Sequence, residues 1–489
     1  MVDPCVGCHS EAHRTDPIDE SRHARMIADT PPSTRDSSRF QFPVLGNYRT
    51  IDFTKPVQDV TDRLRELGSG MIEQPFAAQP VIFVADTALV AEVNDETHWE
   101  KHVGPSLDRL RSVLGDGLFT AYNHEPNWRR AHNLLVPLFT RAAMSRYHSD
   151  MVNTVRELID GWNTKSRVRA WISVPADANR LTLEIISRVA MGHSFNNLSN
   201  PRERQKPFLA MLLRELAYAD RHTVDISDER KSQHVSDKTE MRREVDRIVK
   251  DRSRDPATQG NGDILHSLLH NRDPDTGEQL DQATVINELL TFLVVGSETS
   301  ANAIAFALHV LSSNPDIAAR ARAEIDARWP EPGFPEIGFG DVHQLQYLRC
   351  IVDETLRLWP AAPGYFRQAR HDTTIGNGKH HFRTGDWVFV HLIAAHRSDA
   401  WGPDAAEFNP DRFLSENLRR LPPRTYRPFG TGPRACIGRA FALHEILVTL
   451  AAVLHQFDLE PSPDYRLAAA EAMTLKPLNL QLRLHRRRV

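Results

Sequence analysis

The longest apolar pattern in the chain lies between Asp281 and about Ser313. Its apolar positions recur at helical spacing, at Val285, Leu289, Phe292, Leu293, Ile304, Leu308 and Leu311. Asn314 followed by Pro315 ends the pattern. At 1.5 Å per residue the stretch predicts a buried helix of about 50 Å, long enough to cross a domain.

Polar residues interrupt this helix in the segment Val295-Gly296-Ser297-Glu298-Thr299-Ser300. A glycine there costs about 1 kcal/mol relative to alanine, and buried polar groups need partners. We expect the Thr299 hydroxyl to bond back to the carbonyl of Val295, which would bend the helix and open a groove for oxygen and water. The alternative is an incidental polar kink.

Other segments show weaker patterns. Val81–Val84 and Asp386–Val390 are rich in β-branched and aromatic residues, which predicts two strands. Residues 201–263 are strongly charged and end in a linker at 255–262, which indicates solvent-facing helices. Residues 1–40 lack apolar periodicity, so we expect a disordered tail. The remaining residues, 41–489, show no clean break and predict one large domain.

Composition excludes several classes of protein. The chain has 25% charged residues and a mean hydropathy of −0.44, and it has no apolar run near the ~20 residues of a membrane helix, so we expect no transmembrane anchor. A net charge of −4 argues against nucleic acid as the main partner. Four cysteines are too few for a disulfide framework and suit the cytoplasm.

Two of these cysteines form the string Cys5-Val6-Gly7-Cys8-His9, the spacing that attaches a c-type haem. Covalent attachment needs export, and no signal peptide precedes Cys5. Metal or redox chemistry is a second alternative. We interpret the string as an incidental pair in the tail.

Cys436 is the stronger candidate for chemistry. It follows the glycine-rich segment Phe429-Gly430-Thr431-Gly432-Pro433-Arg434-Ala435 and precedes a helical pattern with Leu443 and Leu447. A thiolate at the start of a helix is stabilised by the helix dipole and free N–H groups, and it is the form that binds metal. A buried structural cysteine is the alternative.

The string Phe-Gly-x-Gly-x-Arg-x-Cys-x-Gly resembles the signature of the cytochrome P450 superfamily. The resemblance implies a mainly α fold with a small β-rich lobe (α+β), and a b-type haem with Cys436 as axial ligand. It also implies that Arg434 pairs with a haem propionate and that Phe429 and Gly430 contact the cofactor. In the family motif, Glu298 and Thr299 would deliver protons during catalysis.

A second resemblance is narrower. Trp128 and His132 share a helix face, and together with the Gly115–Phe119 loop they resemble the haem domains of bacterial self-sufficient fatty-acid hydroxylases. The resemblance implies that Trp128, His132 and Leu118 bind the haem. It implies that Phe119, Val295, Ala362 and Met473 line the substrate pocket. It also implies a buried structural triad of Glu354, Arg357 and Arg412.

The sequence departs from those hydroxylases at the channel mouth, where Gln79 and Phe83 stand in place of an Arg and a Tyr. We therefore expect a monooxygenase acting on a lipophilic substrate without an obligatory carboxylate: a fatty-acid derivative, terpene or secondary-metabolite intermediate. A free fatty acid hydroxylase is one alternative. A peroxygenase and a non-catalytic haem protein that binds ligands are two others.

The source of electrons is the last expectation. No reductase module follows Val489 in this sequence, so we expect O2 as co-substrate and a separate ferredoxin or flavodoxin with its reductase. We expect that partner to dock on a basic face formed by Arg129, Arg130, Arg427 and Arg439.

Overall fold

A computed structural model describes residues 51–52, 54–76, 79–198, 207–220, 226–254 and 263–487. The predicted tail with Cys5, Cys8 and His9, the domain boundary at residue 41 and the predicted linker at 255–262 lie outside these residues.

Helices dominate the described residues. In chain order they are α1 Pro56–Glu66, α2 Thr87–Glu92, α3 Pro105–Leu114, α4 Pro126–Leu135, α5 Arg141–Arg167, α6 Val174–Met191, α7 Pro207–Ala219, α8 Asp228–Arg254, α9 Ile264–His270, α10 Gln282–Ser313, α11 Pro315–Arg328, α12 Phe339–Val342, α13 Gln346–Leu358, α14 Leu392–Ala395, α15 Ser415–Leu418 and α16 Arg439–Gln456.

The strands are short and form small sheets. They are β1 Met71–Phe76, β2 Gln79–Val84, β3 Trp99–Lys101, β4 Trp171–Ser173, β5 Gly364–Ala369, β6 Thr373–Ile375, β7 His380–Phe382, β8 Trp387–His391, β9 Phe457–Pro461, β10 Ala469–Glu471, β11 Leu475–Pro477 and β12 Gln481–Arg486.

The largest sheet has the order β1-β2-β8-β5-β3, and a second has the order β4-β12-β9. Strands β2 and β8 pair in parallel, with Ile82 opposite Val388, and the other pairings are antiparallel. Both strands were predicted from sequence. The predicted fold class, mainly helical with a small β-rich lobe, is confirmed.

Helix α10 is the centre of the fold. Asp281 caps it by accepting a hydrogen bond from the Thr284 N–H at 2.7 Å, and Asn314 follows its last residue, so both predicted ends are confirmed. It packs against α6, α13 and α16. Its length and apolar composition would allow it to cross a membrane, but 83% of its most apolar window is buried inside the structure, as expected for a core helix.

The predicted triad lies buried between α13 and the segment that follows α14. Arg357 Nε and Nη2 donate to the two oxygens of the Glu354 carboxylate, at 2.6 and 2.7 Å, and Arg412 Nε lies 3.4 Å from Glu354 Oε1. Arg357 also donates to the carbonyls of His396 and Ala405. A buried charge pair is stable only when its remaining donors are satisfied in this way, so the triad fixes the segment that leads to the Cys436 loop.

Candidate active site

Cys436 lies at the end of a tight loop that leads into α16. The Cys436 N–H donates to the Phe429 carbonyl at 2.9 Å. Gly430 and Gly432 both have φ of 69°, a region that favours glycine. A Cβ at Gly432 would also lie 2.2 Å from Glu96 Oε1. The backbone that presents the sulfur therefore requires the glycines of the motif.

The surroundings of the Cys436 sulfur act on its pKa in opposite directions. Burial raises the pKa of the thiol, whereas the Gly438 N–H and the charge of Arg439 lower it. Burial has the largest effect, so the start of α16 alone does not stabilise the thiolate as we expected from sequence. The Cys436 side chain is nevertheless accessible at its surface. A side chain that is enclosed by protein and still accessible is expected to line an internal cavity.

Arg434 connects the cysteine loop to α4. Its guanidinium carbon lies 4.1 Å from the centroid of the Trp128 ring, and that ring stacks on His132 with centroids 4.9 Å apart. Arg434 also donates to the Ala121 carbonyl at 3.2 Å. Burial, followed by the charges of Arg434 and Arg129, lowers the pKa of His132. The structure therefore brings together three of the residues that the sequence predicted to bind the cofactor.

Lys101, at the end of β3, is a fourth member of this cluster that sequence reasoning missed. Its ammonium donates to the Phe119 carbonyl, and burial together with the charge of Arg434 lowers its pKa to about 7. Burial also lowers the pKa of Arg434 to about 10. Lys101 lies in no recognisable motif, so only the pairing of β3 with β5 brings it here.

Neither of these two cations has an acidic partner of its own within the described residues. The three carboxylates whose charge acts on Arg434 each pair with a different arginine: Glu96 with Arg367, Glu100 with Arg370 and Glu125 with Arg111. Two adjacent, partly buried cationic groups without a counter-charge form a site suited to an external anion.

The residues of this region fit a b-type haem. Cys436 offers a thiolate, a ligand type that holds haem iron. Arg434, Lys101 and the Trp128 N–H are donors of the kind that bind carboxylates such as the two haem propionates. Leu118 and Phe119 are partly buried apolar residues at the edge of the core.

The middle of α10 presents an accessible face within an otherwise buried segment. Val295, Gly296 and Thr299 are partly accessible, while the residues around them are buried. The Thr299 hydroxyl donates to the Val295 carbonyl at 2.8 Å, which is the bond predicted from sequence. A Cβ at Gly296 would lie 3.1 Å from Ile186 Cγ1 of α6, so glycine permits close packing of the two helices.

Glu298 has a partner that the sequence did not reveal. Its Oε1 lies 3.4 Å from Lys476 Nζ on β11, and the two side chains are 9% and 31% exposed. Beside this ion pair, Asn302 Nδ2 donates to Thr474 Oγ1 at 3.3 Å. The polar segment of α10 is therefore connected to the C-terminal strands by a charge pair and a neutral hydrogen bond.

The predicted pocket residues come from four separate segments. Phe119, Val295 and Met473 are partly buried at the edge of the main core, and Ala362 is exposed on the loop before β5. The Leu475 N–H donates to the Ala361 carbonyl at 3.0 Å, which brings the Met473 and Ala362 segments together. Their roles as substrate contacts remain predictions.

The expected places of Phe83 and Arg427 need correction. Phe83 is 5% exposed and packs against Phe389 at 5.7 Å, so it is a residue of the sheet core rather than an open channel mouth; the side chain of Gln79 lies outside the described residues. Arg427 is 4% exposed and lies beside Tyr365, so it cannot contribute to a docking face. Its proximity to the cysteine loop was not evidence of exposure.

Comparisons with known proteins agree with this geometry. The sequence model of the cytochrome P450 family matches residues 37–483, and the chain therefore belongs to that family. It is 37% identical over 448 residues to a bifunctional cytochrome P450/NADPH--P450 reductase of Bacillus cereus and 38% identical over 443 residues to bifunctional cytochrome P450/NADPH--P450 reductase 1 of Bacillus subtilis.

These two alignments cover 90% and 89% of this chain but only 41% of each relative. A crystal structure of cytochrome P450 CYP102L1 is 52% identical, with a TM-score of 0.86, and the match covers 91% of this chain and 98% of that one. The comparisons confirm the predicted family, its fold and the thiolate-ligated haem b that the family uses.

Proposed function

We propose that this protein is a haem-thiolate monooxygenase that inserts one oxygen atom from O2 into a C–H bond of a lipophilic substrate. The observation that carries the proposal is the accessible polar break in α10, where Thr299 and Glu298 lie within a helix that is otherwise apolar and buried. A passive haem protein has no need for an acid and a hydroxyl there.

The chain's own residues would support the chemistry in three ways. Cys436 holds the cofactor, which when bound supplies the activation of O2. Arg434 and Lys101 bind its propionates, with the Trp128 N–H as a further donor. Thr299 and Glu298 hold and pass protons at the α10 groove, and the bond from Thr299 to the Val295 carbonyl fixes the hydroxyl in place.

The substrate proposed is a long lipophilic molecule without an obligatory carboxylate. The apolar character of Phe119, Val295, Ala362 and Met473 supports the lipophilic class of substrate, which would bind through buried area. The absence of a carboxylate requirement rests on the sequence alone, which has Gln79 where the self-sufficient hydroxylases have an Arg. Val295 and Phe119 together should restrict bulk over the haem. A free fatty acid is the alternative, and titrating the haem-loaded protein with a long-chain acid and with its methyl ester distinguishes the two by the change in spin state.

We also propose a flavin- or iron–sulfur-containing electron donor: a ferredoxin or flavodoxin with its reductase, working in the cytoplasm. The support is that the names of the two Bacillus relatives include an NADPH--P450 reductase. Arg129 and Arg439 are exposed, and Arg130 lies beside Arg129 on α4, so these three residues remain candidates for the docking face.

The decisive experiment is the carbon monoxide spectrum of the reduced, haem-loaded protein, followed by a turnover assay with a reductase system. We expect the red-shifted Soret band of a thiolate haem, and its loss in Cys436→Ala. A wild-type band without substrate oxidation under any electron supply would favour the non-catalytic class. Retention of the band by Cys436→Ala would refute the assignment of the ligand.

A further inference from the structure

Glu288 is a fully buried carboxyl on α10, with an exposure of 0%. Its two oxygens both accept from one backbone group, the Leu118 N–H, at 3.0 and 3.2 Å. No lysine, arginine or histidine of the described chain forms an ion pair with it. A buried carboxyl without a cation is costly, so its place beside Leu118 calls for an explanation.

The loop of residues 115–119, which contains Leu118, packs closely against the part of α10 around Glu288. Gly115 has φ of 59°, and a Cβ there would lie 2.3 Å from Asn287 Nδ2. A Cβ at Gly117 would lie 2.4 Å from Thr291 Oγ1. Asn287 Nδ2 also donates to Asp116 Oδ1 at 2.9 Å. One turn of α10 therefore forms a cradle for the whole loop.

Phe119 is held from both sides. On one side Lys101 donates to its carbonyl, and on the other Glu288 accepts from the N–H of the preceding Leu118. The backbone on either side of the Phe119 side chain is thus fixed by one partly buried cation and one buried acid.

We propose that Glu288 is a positioning residue that fixes Leu118 and Phe119 at the substrate pocket and thereby determines which carbon of a lipophilic substrate is oxidised. The substrate pocket and the choice of the oxidised carbon rest on the proposed function. The fixing of the Leu118 and Phe119 backbone by Glu288 does not. Glu288 acts only through the backbone of Leu118, and no contact with the substrate is required of it.

The groups that face Glu288 predict a response to pH. In the part of the chain that the structure describes, Asp116 on the loop is its one charged neighbour of the same sign. Arg242 of α8 donates to Asn287 Oδ1, at 2.9 Å, and to the Val113 carbonyl. The pKa of Glu288 is raised to about 8, because burial, the largest effect, outweighs the Leu118 N–H, which lowers it; the charge of Asp116 adds a smaller increase. The carboxyl is mostly neutral at pH 7. Its ionisation above pH 8 leaves a buried negative charge without a cation, and opening of the loop would let water reach that charge, so the loop should loosen there.

The test is hydrogen exchange of the loop amides in haem-loaded protein, measured by mass spectrometry and corrected for intrinsic rates. Glu288→Ala removes the one acceptor that the described residues provide for the Leu118 N–H, so we expect loop exchange to rise about tenfold, equivalent to about 1.4 kcal/mol. Glu288→Gln keeps an acceptor oxygen, and we expect exchange within about threefold of wild type. Unchanged exchange in Glu288→Ala would overturn the proposal.

Glu445→Gln is the matched control, because Glu445 is also fully buried with a pKa raised to about 8 but lies on α16. We expect a step in loop exchange near pH 8 in wild type and in Glu445→Gln, and none in Glu288→Gln. If Glu288→Ala does not retain haem, the pH profiles of loop exchange in wild type, Glu445→Gln and Glu288→Gln test the proposal instead. A step that survives in Glu288→Gln overturns the proposal.

The position of hydroxylation tests the claim that Glu288 determines which carbon of the substrate is oxidised. With dodecanol as the probe, we expect Glu288→Ala to change the distribution of hydroxylated isomers and Glu288→Gln to preserve it. An unchanged distribution in Glu288→Ala, with faster loop exchange, would refute the role in specificity alone. A wild-type protein without the thiolate-haem band would refute the proposed function and leave the exchange result standing.

Discussion

The Arg434 guanidinium carbon lies 4.1 Å from the centroid of the Trp128 ring, and the contact joins the cysteine loop to α4. A cation over an indole contributes about 0.5–2 kcal/mol. It also orients the planar fork of donors, which suits bidentate binding of a carboxylate. Lys101 lies close enough to Arg434 that the charge of Arg434 contributes to lowering the pKa of Lys101. The two cationic groups therefore form one anion-binding unit.

Removing either cation should therefore weaken haem binding. We expect Arg434→Leu and Lys101→Met each to cost about 2 kcal/mol of haem affinity, as for other buried charge contacts. Haem loss is measured by transfer to apomyoglobin. Arg370→Leu is the control, since Arg370 lies near the site but pairs with Glu100; equal haem loss in this variant would point to general destabilisation instead.

The sequence predicted those parts of the site that belong to continuous segments. Cys436, Phe429 and Gly430 lie in one motif, and the polar break around Thr299 is visible against the apolar period of α10. The backbone requires these residues locally, through the positive φ of Gly430 and the bond from Thr299 to Val295. Such requirements leave a pattern in the chain.

Contacts between distant segments left no such pattern. Lys101 reaches the site through the pairing of β3 with β5, and Lys476 reaches Glu298 from the far end of the chain. Glu288 lies among the apolar positions of α10 and in no motif, so the sequence alone could not identify it as a partner of the Leu118 backbone. Arg427 is an error of the opposite kind. Its charge and its position near the cysteine motif led us to expect an exposed side chain, but it is buried.

The Thr299 hydroxyl should control coupling, which is the amount of product formed per NADPH consumed. We expect Thr299→Val, which keeps the side-chain shape, to divert reducing equivalents to peroxide and to lower product per NADPH by at least about tenfold. Thr299→Ser should restore coupling. Ser297→Ala is a matched control, because Ser297 makes the same kind of bond, to the Leu293 carbonyl at 2.8 Å, on the buried side of α10. Equal uncoupling in both variants would indicate a helix defect.

The ion pair between Glu298 and Lys476 should act as one unit. We expect Lys476→Met and Glu298→Gln to reduce coupling to a similar extent, and the double variant to be no worse than either, because each single change already breaks the pair. Lys476→Arg should retain most of the coupling. Additive losses in the double variant would show that Lys476 and Glu298 act independently.

Two acids of the segment between α9 and α10, which pair with arginines of α4, should oppose docking of an acidic electron donor. Arg129 Nε lies 3.4 Å from Asp275 Oδ2, and Arg130 Nη2 lies 2.5 Å from Glu278 Oε2. We expect the double variant Asp275→Asn, Glu278→Gln to be reduced by flavodoxin about two- to threefold faster at low salt, with the gain lost at high salt. Asp228→Asn, an exposed change of the same sign on α8, should have no effect. No gain in the double variant would exclude α4 from the docking face.

Stability should fall as pH rises from neutral to about 8. Burial raises the pKa of Glu445 from 4.5 to about 8, so between these values the folded protein holds a proton that the unfolded chain has released. Its contribution is therefore lost as pH rises through this window, on the order of 5 kcal/mol in full, of which roughly one pH unit's worth falls between pH 7 and 8. Buried His391, His396 and His444 have lowered pKa values and destabilise only below about pH 6.5. Lys101, whose pKa is lowered to about 7, acts in the opposite direction above that pH, but its contribution is common to wild type and Glu445→Gln. We expect thermal unfolding of haem-loaded Glu445→Gln to show a shallower decline from about pH 7 to 9 than wild type, and an identical decline would refute the buried, neutral state of Glu445.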